Sequence, residues 1–149
     1  IIIGDNRFTC QESCEISFRS CLREQGKGQQ ILEPVRSHER ADVARSVTEK
    51  LLSQYPALQA IYAPCGGVEG IVGALRDSGR QQAVTLVCHG PLSGSELALI
   101  DGTIDVILNH RLDDLAAATL RSMTEAVSRP PSDVISHPQL FDIITKENM

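Results

Sequence analysis

The chain has 149 residues and a mass of 16.2 kDa, the size of one domain or of one lobe of something larger. It is 42% apolar, enough for a substantial core and too much for a disordered segment, and only 3% aromatic, which argues against lectin-like sugar clamps and base-stacking platforms. A net charge of −5 excludes a nucleic-acid-binding module in its own right, and no stretch approaches the ~20 apolar residues of a membrane span or reads as a signal peptide.

The chain opens Ile1-Ile2-Ile3-Gly4-Asp5, without an initiator Met and inside an apolar strand, as expected of a processed protein or a piece of a longer one. Residues 11–25 predict a helix with Cys14, Phe18, Cys21 and Leu22 inward, ended by Gly26. A strand follows at 29–34, then a helix at 39–54 with Val43, Val47 and Leu51 inward, stopped near Pro56. Residues 58–63 read as a strand and 67–78 as a helix burying Val68, Ile71, Val72 and Leu75, with Gly79 at its end. The run 83–88 is a continuous apolar strand of the kind buried on both faces. A short helix at 94–101 and a strand at 103–109 come next. The long amphipathic helix 112–128 points Leu115, Thr119, Leu120, Met123 and Val127 inward, and Arg129-Pro130-Pro131 ends it. The rest, 132–149, is extended, with 140–145 as the last strand.

Strands and helices alternating in this way predict an α/β fold, a parallel sheet flanked by helices on both faces. In such sheets ligands bind beyond the carboxyl ends of the strands. Those ends are Asp5-Asn6-Arg7, Arg36-Ser37-His38, Pro64-Cys65-Gly66-Gly67, His89-Gly90 and Asn109-His110-Arg111, all polar, glycine-rich or both.

The turn Cys65-Gly66-Gly67-Val68-Glu69-Gly70 resembles GxGxxG with Cys for the first Gly, and free N–H groups at this helix start would favour an anion or a polar oxygen. A nicotinamide cofactor would want a carboxylate after the next strand, where Cys88-His89-Gly90 has none, and no cofactor is expected. Ala63-Pro64-Cys65-Gly66-Gly67 also has the shape of a nucleophile elbow, with His89 or His110 as base and Asp113 or Asp114 to orient it, so a small Cys-His hydrolase stays open. His38, His89 and His110 could converge on a metal, although a His beside a cleft more often donates to a ligand or a carbonyl, and no metal is expected. Arg7, Arg36 and Arg111 suit hydroxyl or carboxylate recognition through forked N–H donors. Five cysteines are an odd number, so we read them as reduced thiols of a cytoplasmic protein; without a CxxC pair, Cys10, Cys14 and Cys21 make a poor iron–sulfur or zinc site.

In this order several segments resemble the C-terminal half of the effector-binding domain of LacI/GalR-type transcriptional regulators, a fold shared with periplasmic sugar-binding proteins. They are Phe18-Arg19-Ser20-Cys21-Leu22-Arg23-Glu24-Gln25-Gly26, residues 51–62 (LLSQYPALQAIY), 70–79 (GIVGALRDSG), 99–107 (LIDGTIDVI) and 141–148 (FDIITKEN). The resemblance covers nearly the whole chain. It implies one lobe of a type I periplasmic-binding-protein-like fold at 1–131, with a tail at 132–149 whose last strand crosses towards a missing lobe.

It further implies a non-enzymatic sensor. A small-molecule effector, sugar-like, would bind between two lobes, operator DNA would bind through an absent N-terminal headpiece, and the protein would be a cytoplasmic homodimer touching no membrane. Residues 67–78 and 93–101 are the candidate dimer contacts. Where the family often has an Arg early in the first helix, this chain has Cys14; Asn-Asp after the third strand is replaced by Pro64-Cys65, followed by Gly66-Gly67. The Asp common after the fourth strand becomes His89-Gly90, and the Gln after the fifth falls near Asn109-His110. The implied ligand-binding set is Arg7, Cys14, Cys65, Gly66, Gly67, His89, His110 and Arg111, suited to a polyol, a modified sugar or a carboxylated ligand more than to a plain hexose. A periplasmic solute-binding protein of a sugar transporter is the alternative of the same fold.

Overall fold

The computed structural model describes residues 1–5, 7–26, 28–90, 94–128 and 135–149. In chain order they form β1 (Ile2–Ile3), α1 (Thr9–Glu24), β2 (Val35–Arg36), α2 (Ala41–Gln54), β3 (Ala60–Ala63), α3 (Val68–Asp77), β4 (Thr85–Gly90), α4 (Ser95–Ile100), β5 (Val106–His110), α5 (Leu112–Ser128) and β6 (Phe141–Ile144). β1 and β2 pair in parallel, β3, β4 and β5 form a parallel sheet, and β6 closes that sheet antiparallel to β5. β1 runs beside β3, so the spatial order is β2-β1-β3-β4-β5-β6. The expected boundary between 131 and 132 lies outside the described residues.

The core lies on one face of the sheet. Ile61 and Ala63 of β3, Leu86 and Cys88 of β4 and Ile107 of β5 meet Leu51 and Leu52 of α2 and Val68, Ile71 and Leu75 of α3. Along β4 burial alternates, with Leu86, Cys88 and Gly90 buried and Val87 and His89 part-open. This corrects the expectation of a strand buried equally on both faces. Tyr62, in register with Val87, belongs to the other face and is covered by Phe18 of α1.

Other expectations move for local reasons. The strand expected at 29–34 is instead Val35–Arg36, the two residues in register with Ile2 and Ile3. Pro34, lacking an N–H, cannot donate to a ladder just before it. In α2 the buried stripe is Ala44, Thr48, Leu51 and Leu52, one residue later than Val43 and Val47, and Thr48 satisfies its hydroxyl by donating to the Ala44 carbonyl at 2.7 Å. In α1 Cys21 is exposed and Gln11 is the buried residue.

The largest correction concerns α5. Its limits are those expected, but Leu120, Met123 and Val127 are 66%, 62% and 90% exposed, Leu115 is exposed too, and Ala118 is the buried position. The side turned inward is the small and polar one, where Glu125 meets His137 at 3.3 Å.

Candidate ligand-binding edge

At the ends of β1, β2 and β3 the chain binds itself. Gln11 Oε1 accepts the Gly4 N–H at 2.6 Å, Gln11 Nε2 donates to Glu39 Oε1 at 2.8 Å, and Glu39 Oε2 accepts the Gly66 N–H at 2.6 Å. Ser37 Oγ donates to the Gly66 carbonyl at 3.2 Å and accepts the Glu39 N–H at 3.3 Å. His38 and Glu39 stand in the left-handed region, at φ 52° and 59°, a conformation that non-glycine residues hold only where surroundings enforce it. A Cβ at Gly4 or Gly66 would overlap the Glu39 carboxylate, so glycine at both positions lets it sit here. The N–H expected to receive a ligand anion at Gly66 is thus taken by the chain's own carboxylate.

Cys65 is buried here, its thiol donating to the Ile2 carbonyl at 3.3 Å with Ser37 Oγ at 3.6 Å. Burial pushes this thiol up to about 11, the opposite of the depressed value expected at a helix start. Cys88, likewise buried, is pushed up to about 12. Arg7 is highly exposed and pairs with Asp5 at 3.2 Å, and His38 Nδ1 lies 3.6 Å from the same carboxylate.

Towards β4 and β5 the edge changes character. Phe18 stacks on Tyr62 at 4.8 Å between ring centroids, the Tyr62 hydroxyl lies 2.9 Å from His89 Nε2, and the His89 and His110 rings are 5.5 Å apart. Burial is the main reason the Tyr62 phenol is raised, and Cys14 of α1, close to it, acts in the same direction. Burial, then the neighbouring His110, lowers His89 below the ordinary histidine value, so its imidazole is neutral at pH 7.

Beside this column Arg111 donates through Nε and Nη2 to Asp142 Oδ1 at 2.9 and 2.6 Å and lies 3.9 Å from Asp114. An open depression of ≈ 430 Å³ sits here, lined by Asn109, His110, Arg111, Asp113 and Asp142 among others. Another, of ≈ 470 Å³, lies at the far end of α2 and α3 among Leu52, Asp77 and Arg80, away from the strand ends.

Of the eight residues expected from the sequence, the structure gathers Cys14, His89, His110 and Arg111 around the β3–β5 ends and leaves Cys65, Gly66 and Gly67 in the turn closed by Glu39, with Arg7 on Asp5. His38 stays with Asp5, and among the described residues no three His, Cys, Asp or Glu are placed to hold a metal ion. Sequence reasoning missed Tyr62, Phe18, Gln11 and Glu39. Tyr62 alone had a legible signal, a polar ring one residue before a strand end.

No family model matches the chain, and no curated protein matches it. Solved structures do. The glucose-galactose binding protein of Geobacillus stearothermophilus is 21% identical over 99% of this chain and 52% of its own, with a TM-score of 0.88. A carbohydrate transporter solute binding protein from Agrobacterium radiobacter, solved with D-arabinose, is 14% identical over 99% and 50%, at 0.83. The arabinose binding protein of G. stearothermophilus is 15% identical over 99% and 53%, at 0.79. The chain spans about half the length of each, and its fold is one lobe of the type I periplasmic-binding-protein-like architecture.

Proposed function

We propose that the chain is one lobe of a two-lobed receptor for a small sugar or related polyol, which binds without catalysis at the ends of β3, β4 and β5. The observation that carries this is the Tyr62–His89–His110 column beside the depression at Asn109 and Arg111. The neutral imidazole of His89 and the Asn109 amide offer donors and acceptors to hydroxyl groups without the cost of desolvating a full charge. Supporting it, solved structures of similar fold are described as binding glucose and galactose or hold D-arabinose. Binding rather than turnover fits Cys65, whose thiol is buried and bonded to backbone.

The test is the response of the His89 and His110 ring signals in nuclear magnetic resonance to D-glucose, D-galactose, D-arabinose, D-allose and D-tagatose. At least one of these sugars will shift both rings saturably, while His137, which pairs with Glu125 of α5, stays still. A folded chain whose two rings ignore the whole panel overturns the reading.

The setting we favour is a cytoplasmic, dimeric LacI-type regulator that reaches operator DNA through a separate headpiece. Its support is that all five cysteines are free, with Cys10 and Cys21 exposed, as suits a reducing compartment better than an exported transporter component. The intact mass and N-terminal sequence of the parent gene's product decide this. A helix-turn-helix ahead of the lobe is the expected result; a cleaved export leader overturns it in favour of transport.

A further inference from the structure

We propose that Tyr62 is a positioning residue: its hydroxyl donates to Nε2 of His89, which places the imidazole proton on Nδ1 and makes that N–H the polar group His89 has left for a ligand. The inference rests on reading this edge as the sugar site.

The two heavy atoms are 2.9 Å apart, within hydrogen-bond range, and either could donate. The donor and acceptor strengths of the two groups choose the direction. A phenol O–H is a stronger donor than a neutral imidazole N–H, and an imidazole nitrogen is a stronger acceptor than a phenol oxygen, so O–H···N is the better pairing.

The groups around the ring agree. α1 contributes Cys14 and the uncharged Phe18, which stacks on Tyr62 and holds its plane; β3 contributes Tyr62; β5 contributes His110. Beyond His110 stands Arg111, paired with Asp142 of β6 and Asp114 of α5. The carboxylates in this set are held on Arg111. Burial and His110 both lower the affinity of His89 for a proton, and a donor at Nε2 acts in the same sense. Sequence alone marks His89 as a strand-end ligand group but leaves its tautomer open. That choice sets whether the ring meets a ligand oxygen as donor or acceptor.

Tyr62→Phe keeps the ring and its stack on Phe18 and deletes the hydroxyl. The ring-nitrogen shifts of His89 and its pH titration are read on the purified chain without sugar. In the unaltered chain His89 will be the single Nδ1–H tautomer. In Tyr62→Phe it becomes a mixture and its titration midpoint moves up, because a bond favouring the neutral ring has gone. A downward shift means that His89 was the donor and overturns the proposal, and an unchanged midpoint does the same. Should Tyr62→Phe fail to fold, an Nε2–H tautomer in the unaltered chain is sufficient to overturn it. For any sugar that shifts His89, Tyr62→Phe will weaken binding by about tenfold, the loss of roughly one hydrogen bond. Silence of every sugar, with the titration as expected, fails the sugar reading and upholds the Tyr62–His89 bond.

Discussion

Ile71→Ala will cost the lobe about 2–5 kcal/mol, the range for emptying a well-packed aliphatic site. Ile71 is 0% exposed and lies in α3 among Leu75, Ile61 and Leu86, where α2, α3 and the sheet meet. The site cannot collapse easily, since helices press on it from one side and β3 and β4 from the other. The deep core occupies one face of the sheet, and α5 adds little beyond Ala118. A domain of this size has about 5–15 kcal/mol in all, so the variant keeps only part of its stability. Urea unfolding will show a lower midpoint at unchanged slope. A loss under about 1 kcal/mol would mean the α3–sheet contact is looser than the burial of Ile71 implies.

Gly70→Ala will also be strongly destabilising, although alanine is the better helix former by about 1 kcal/mol. A Cβ at Gly70 would overlap the Ala41 carbonyl oxygen and lie 2.8 Å from the Ala41 carbonyl carbon and 2.9 Å from the Arg45 nitrogen. These are backbone atoms of α2, so no side chain can step aside and the two helices must separate. Overpacking of this kind costs about 1–3 kcal/mol or more. The strain reaches the edge as well, because α2 begins two residues after Glu39, whose carboxylate joins Gln11 to Gly66. Gly73→Ala on the same helix is the control. Its Cβ meets the end of the Arg45 side chain at 3.1 Å, which can swing away. Thermal melts will separate the pair, with Gly70→Ala melting well below Gly73→Ala; equal melting would refute a rigid α2–α3 contact.

The two halves of the edge were unequally legible. That His89 and His110 end adjacent strands followed from the order of elements, since parallel neighbours bring their carboxyl ends to one side. That Tyr62 would reach His89 did not follow, because it depends on a register in which Tyr62 faces Val87 and on α1 setting Phe18 over the ring. Gly66 and Gly67 were read correctly as a turn into a helix, with Gly67 at φ 80° before α3. Glu39 fell at the start of an expected helix, and its place on the Gly66 N–H comes from a left-handed turn that no periodicity encodes.

By itself, the sequence determined the alternation of strands and helices, the limits of α5 at Leu112–Ser128 and the edge at which polar groups collect. These depend on periodicity and on glycine and proline stops, which act within a few residues. Only the tertiary structure decided that β6 runs antiparallel, that the apolar stripe of α5 turns outward, that Cys65 is a buried thiol bonded to backbone and that the Tyr62 hydroxyl lies against His89. Each of those outcomes depends on strand register or on which helix covers which face. Both are set by contacts between residues far apart in the chain, where an amphipathic pattern says that a side is apolar without saying what will meet it.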